Sequence, residues 1–256
     1  MKFWKIMSVL LVLLLLTAAC GNTVSPSPAA PEAADAPKTA EKAPEEKAEK
    51  EPEAAFEITY THSDVWPSVT GGNWQQTIVE ITNTGDTNLY FDTGNYDLED
   101  SAGKLLASQS YVTVFPNVIA PGEKAYMYEA SVLEDNPAEG EIKVLPRVEG
   151  KAATVELIRF ELTDMELSTD DYGYLQVLGR IENKTDRDFE NVYVVGQLYD
   201  DQGRCIGQMQ DYLPETLTAG AKVGFKLIEF ALPDSVNEDS IAEIRYYGYP
   251  LQAQFN

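Results

Sequence analysis

From Phe56 onward, apolar and polar residues alternate with a period of two. In Thr77-Ile78-Val79-Glu80-Ile81, positions 77, 79 and 81 share a face. In Val177-Leu178-Gly179-Arg180-Ile181 the first, third and fifth do likewise. Val192, Val194, Gly196 and Leu198 face one way, and Tyr193, Val195, Gln197 and Tyr199 the other. Branched and aromatic residues dominate these stretches, as strands require. Asn, Asp, Gly and Pro interrupt them at spacings of roughly ten residues, which predicts an antiparallel sandwich or barrel. After residue 55 no stretch carries a long amphipathic helical pattern. The fold class is all-β.

The pattern repeats. Ile81-Thr82-Asn83-Thr84-Gly85-Asp86 aligns with Ile181-Glu182-Asn183-Lys184-Thr185-Asp186, and Leu98-Glu99-Asp100-Ser101-Ala102-Gly103 with Leu198-Tyr199-Asp200-Asp201-Gln202-Gly203. Ala120-Pro121-Gly122-Glu123-Lys124 then matches Thr218-Ala219-Gly220-Ala221-Lys222. A strand ending in Asn-x-x-Asp, a hairpin at Asp-x-x-Gly and a glycine turn before another strand recur in order. Two domains of one fold are predicted, 55–150 and 151–256, with a junction near Leu145-Pro146-Arg147-Val148-Glu149-Gly150. At each hairpin, Asp bonds the backbone two residues on and Gly tolerates positive φ.

Residues 1–55 read differently. Lys2 and Lys5 precede an apolar run from Ile6 to Leu16, which small residues follow up to Cys20. Residues 1–19 have the layout of a secretory signal, too short for a comfortable membrane span. The closing Leu16-Thr17-Ala18-Ala19-Cys20 resembles the lipobox of bacterial lipoproteins. That resemblance implies that Cys20 becomes the lipidated mature N-terminus, a diacylglyceryl group holding the chain to the membrane. Thr17 departs from the pattern by standing where Leu is commonest. From residue 20 to 54, Pro, Ala, Glu and Lys predominate, with no aromatic residue and one branched aliphatic, Val24. Such a segment cannot bury enough apolar surface to offset its ordering entropy, so it is expected to be a disordered linker.

In the second repeat, Gly179 to Asn183, Val192 to Asp200, Gly203 and Ala219-Gly220 before Lys222 to Leu227 resemble the FxLYD domain of bacterial envelope proteins. The naming motif falls on Gly196-Gln197-Leu198-Tyr199-Asp200, with Gly196 in place of Phe. The first repeat follows loosely with Tyr96-Asp97-Leu98-Glu99-Asp100, where Glu99 replaces the Tyr. The resemblance implies two tandem immunoglobulin-like β-sandwiches and carries no catalytic residues.

Charge narrows the partners. Against 42 Asp+Glu stand 19 Lys+Arg, a formal net charge of −23. Such a chain repels phosphate backbones, which excludes nucleic acid, and anionic headgroups, which leaves membrane attachment to the lipid. With Cys20 lipidated, Cys205 has no partner for a disulfide and is expected to be a small buried hydrophobe.

Catalytic residues are not predicted. His62 is the sole histidine, too few for a transition-metal site, and reads as a solvated or hydrogen-bonded loop residue. Asp97 with Glu99 and Asp100, Asp170 with Asp171, and Asp200 with Asp201 are the places to look for a structural calcium. Ala102 stands where an EF-hand loop needs Gly, however, and a solvated acidic rim is the simpler reading. No cofactor is expected beyond the lipid. Among so many acids, no pair is marked for glycoside hydrolysis. Trp66 and Trp74, at the two ends of the predicted loop Val65–Trp74, are the candidate partner-binding residues and place the contact surface on the first domain: such rings stack on sugars, anchor a protein partner or cap a small core.

The expected function is a non-enzymatic interaction module, monomeric and lipid-anchored at the extracytoplasmic face of a Gram-positive-type membrane. It would meet an envelope protein or polysaccharide. A passive spacer and a carboxylate-dependent glycoside hydrolase are the alternatives.

Overall fold

The computed structural model describes residues 53–252 except 69, 70 and 135. Cys20, the signal segment and the linker up to residue 52 lie outside the described residues. Glu49–Asn256 forms one compact unit.

The described residues are almost entirely β. The first half contains β1 (Phe56–Pro67), β2 (Asn73–Asn83), β3 (Leu89–Glu99), β4 (Leu105–Phe115), β5 (Val118–Ile119), β6 (Lys124–Leu133) and β7 (Lys143–Ala152). The second contains β8 (Glu161–Thr169), β9 (Leu175–Glu182), β10 (Val192–Tyr199), β11 (Cys205–Tyr212), β12 (Lys222–Ile228) and β13 (Glu243–Pro250), with a single 3-10 turn at Glu238–Ser240. Every pairing is antiparallel. In the first half β2 lies between β1 and β6, and β3 between β4 and β7. In the second half β9 lies between β8 and β12, and β10 between β11 and β13. The neighbour relations are the same in both. The halves differ at β4, which leaves β3 after Thr113 and joins β6 through Val114 and Phe115, tying the first half's strands into one seven-stranded sheet.

The repeated polar residues explain why both halves fold alike. The buried Asn83 Nδ2 donates to the carbonyls of Thr87 and Ile119, while its Oδ1 accepts the Gly85 amide. Asn183 does the same with Arg187, Leu217 and Thr185. The Gly122 and Gly220 amides close on the carbonyls of Asn83 and Asn183. Each Asn therefore ties two loop carbonyls and a loop amide to one side chain, adding to backbone pairs such as Gly85 with Ala55 and Phe189 with Leu217. At the hairpins, Asp100 Oδ1 accepts from the Ala102 and Lys104 amides, and Asp200 Oδ1 from those of Gln202 and Arg204. Gly103 and Gly203, at φ of 80° and 73°, complete the turns.

Two buried clusters fill the halves. Val79, Ile81, Leu89, Phe91, Leu98 and Val114 belong to one, and Val177, Ile181, Val194, Leu198, Met209 and Leu227 to the other. Two smaller clusters cross the seam between them. Ile78, Tyr126 and Tyr128 meet Tyr199 and Cys205, and Phe115 meets Val195 and Tyr249. β10 thus buries both faces: Val194 and Leu198 enter its own core, and Val195 and Tyr199 enter the seam.

Two local expectations change. The stretch from Leu145 to Gly150 is the interior of β7 and not a junction. β7 pairs only with β3, so Pro146, which has no amide to donate, sits on an edge strand where none is required. His62 lies on β1 and not on a loop. At Gly196 a Cβ would already press within 3.3 Å of Ile244 and Tyr246, so the space the FxLYD phenylalanine would need is filled from β13.

Candidate functional site

Trp66 and Trp74 are directly opposed partners near the ends of the antiparallel strands β1 and β2. The expected aromatic-ended loop is a strand pair, because the alternating pattern runs further in both directions than its Pro and Gly suggested. Both rings are half-buried, and neither belongs to a buried cluster. They line a cleft of about 580 Å³ whose other wall is built by the second half. Sequence reading placed the contact surface on the first half alone; the cleft is composite.

The second wall has two parts. The β8–β9 turn carries Gly173 and Tyr174, and the segment after β12 carries Glu229, Phe230, Leu232, Asp234 and Asn237. Local hydrogen bonds fix both. Asp170 Oδ1 accepts from the Tyr172 and Tyr174 amides at 2.9 and 3.0 Å, and the Gly173 amide returns to the Asp170 carbonyl. This is the same turn chemistry as at Asp100 and Asp200. Asn237 caps the 3-10 turn through a reciprocal pair with Ser240. Glu229 Oε1 accepts the Ala231 amide at 2.9 Å. The rings of Tyr174 and Phe230 meet edge to face, 5.0 Å apart at 77°. Phe230 is 65% exposed and Tyr172, in the same turn, 85% exposed. Burial pushes the Glu229 carboxyl above its usual range, against the opposing pull of the Ala231 and Phe230 amides. Local hydrogen bonds thus hold both parts of this wall in place.

Phe230 and Tyr174 were missed by sequence reading. Phe230 continues the period-two run Ile228, Phe230, Leu232 past the end of β12 and so looks like one more strand residue; only the fold leaves it exposed opposite a hairpin more than 150 residues earlier.

A second depression, about 780 Å³, is lined by His62, Ser63, Asp64, Glu139, Glu141 and Lys143 among others. It does not contain a nucleophile–base relay. Alternation along β1 puts Ser63 on the face opposite His62 and Asp64. Ser63 Oγ donates to the Gln76 carbonyl and accepts from Thr77 Oγ1. Both Asp64 oxygens are engaged, Oδ1 by His62 Nε2 at 3.0 Å and Oδ2 by Gln76 Nε2 at 2.9 Å. Gln76 Nε2 also reaches the Ile206 carbonyl across the seam. This network binds the halves together.

The remaining candidates serve the fold. Cys205 is buried, and burial pushes its thiol up to about 12, where no nucleophilic thiolate exists at neutral pH. Asp97 is gripped by Arg147 Nη1 at 2.7 Å and by Ser108, which hold its carboxyl down at about 2. Among the described residues no group of three or more His, Cys, Asp or Glu is placed to hold a metal ion, and no helix is long and apolar enough to cross a membrane. No family model matches the chain, and no curated protein matches it either.

Proposed function

We propose that this chain is a non-enzymatic binding module, held by a lipid on Cys20 at the outer face of a bacterial membrane. In this reading two immunoglobulin-like halves, β1–β7 and β8–β13, present the composite cleft to an envelope protein or polysaccharide. The observation that carries it is the convergence of Trp66, Trp74, Tyr174 and Phe230 on one cleft at the seam. None of the four belongs to a buried cluster. A soluble β-protein buries such rings, and an exposed aromatic group on locked turns is what contact energy concentrates on. The engaged states of Ser63, His62, Asp64 and Cys205 support a reading without covalent catalysis.

A photo-crosslinking amino acid placed at Tyr172, beside the cleft, should capture an envelope component in intact cells. The same group at Tyr111, which is 82% exposed and lines a different depression, should not. Equal capture from both positions would remove the cleft as the contact surface. Anchoring is tested separately: Cys20→Ala should move the protein from the membrane fraction to the medium, and unchanged membrane association would overturn the lipid reading.

A further inference from the structure

We propose that the cleft recognises a quaternary ammonium group, an inference that rests on the contact reading above and names the chemistry of what is contacted. Four aromatic side chains line it, two from each half. The edge-to-face contact of Tyr174 and Phe230 sets the two ring planes at 77°, so that a group seated against the pair meets more than one orientation of ring surface. Aromatic faces carry negative quadrupole density and attract a cation within about 6 Å. The charged side chains that line the same cleft, Glu229 and Asp234, are both acidic; no Lys or Arg lines it among the described residues. The chain as a whole has a net charge of −23, so a cation is also steered toward it.

Neutral and anionic ligands fit these walls less well. A neutral ligand seated against Glu229 and Asp234 would take two carboxylates out of water without compensating their charge, whereas a cation offsets that cost. A sugar would look for side-chain donors, and Ser68 and Asn237 are the side chains in the lining, besides the indole and phenol groups, that offer them. An unmethylated ammonium is strongly hydrated and loses more on entering an aromatic lining than a methylated one. The volume of about 580 Å³ lies within the range of small-ligand sites, roughly 300–1,000 Å³.

The test is calorimetric titration of the full chain with three probes: choline, its uncharged isostere 3,3-dimethylbutan-1-ol, and N-acetyl-lysine amide. Choline should bind at least about ten-fold more tightly than the other two. Phe230→Ala and Asp234→Asn should each weaken choline binding by up to about ten-fold, the second also reducing its salt dependence. Phe230 and Asp234 are exposed, so both variants should keep the parent melting behaviour. Equal affinity for the isostere would overturn the charge requirement. Tighter binding of the lysine amide would overturn the quaternary class. No heat with choline at tens of millimolar, or choline binding untouched by both substitutions, would overturn the proposal outright. None of these failures would alter crosslinking from position 172, which tests the contact reading by itself.

Discussion

The two halves share their strand neighbours and their buried polar residues, and they part company at the seam and at the β1–β2 hairpin. Leu98 and Leu198 are both fully buried at the same place in their cores. One residue on, Glu99 ends β3 part-exposed and 3.9 Å from Lys143, while Tyr199 is buried with its hydroxyl against that of Tyr126 and its ring 4.2 Å beneath Arg245. At the first hairpin of each half, one carries paired tryptophans and the other the Asp170–Tyr174 turn. What the halves hold in common is what each needs to fold. Where they differ, they meet each other or face the cleft. The difference separates folding residues from contact residues without any alignment of relatives.

The strongest way to break this equivalence is to truncate its two anchors. Leu98→Ala and Leu198→Ala should each cost about 2–5 kcal/mol, by lost burial and an incompletely collapsed cavity. Urea unfolding of both variants should give costs within about 1 kcal/mol of each other. A large disparity would mean that one half contributes little to the stability of the unit. Next in size are Asn83→Ala and Asn183→Ala. Each removes hydrogen bonds from one buried carbonyl, one part-buried carbonyl and a loop amide, at about 1–3 kcal/mol in total. Asp200→Ala, at a hairpin more exposed than that of the buried Asp100, should cost less than either Asn substitution.

Repetition made the common part legible. Period-two alternation, an Asn followed three residues on by Asp, and Asp-x-x-Gly are local signals, and the structure uses each locally. The seam was not legible, because a strand buried on both faces reads much like one buried on a single face. In β10, Tyr193, Val195, Gln197 and Tyr199 look like a conventional outer face, yet the last three are buried against the first half. The cleft was half legible. Two tryptophans eight residues apart drew attention, but Tyr174 and Phe230 join them only through packing at long range. Likewise Pro146 signalled a break only because sequence does not reveal which strands are edges.

The seam sharpens the comparison further. Tyr199→Phe should leave the Tyr126 hydroxyl with only a long contact to Glu80 Oε2, 3.4 Å, and cost about 1–2 kcal/mol. Glu99→Gln, at the matching position, should change stability by less than about 0.5 kcal/mol, since its exposed ion pair is weak. If Tyr199→Phe is equally silent, the buried hydroxyl pair does not join the halves, and the matching positions are equivalent after all.

The smallest effect expected is one of pH, and it too distinguishes the halves, because His62 is the only histidine in the chain and lies in the first. The hydrogen bond to Asp64 raises the His62 pKa, partly opposed by burial and by Arg204 from the second half, with Glu141 adding a smaller upward pull. Burial would raise the Asp64 carboxyl, but the hydrogen bonds from His62 and Gln76 bring it below its ordinary value. The signs follow from linkage. A histidine whose folded pKa lies above its unfolded value of about 6.5 stabilises fully below that value, and the contribution is lost as pH rises through the folded pKa. The Asp64 contribution is present above the unfolded carboxylate pKa of about 3.9 and is lost as pH falls through the folded one. The pair therefore stabilises most in mildly acidic solution and weakens toward and above neutrality. Both side chains are more than a third exposed, so solvent screening keeps the gain below about 1 kcal/mol. Urea midpoints of the parent and of His62→Gln, measured between pH 5 and 8.5, should converge at the alkaline end and separate at the acidic end, the parent being the more stable. The difference between the two curves cancels the background from Glu129 and Glu229, whose carboxyls burial raises in both proteins. Parallel curves at all pH values would show that His62 does not titrate in linkage with folding, and the first half would lose its one feature near neutrality that the second lacks.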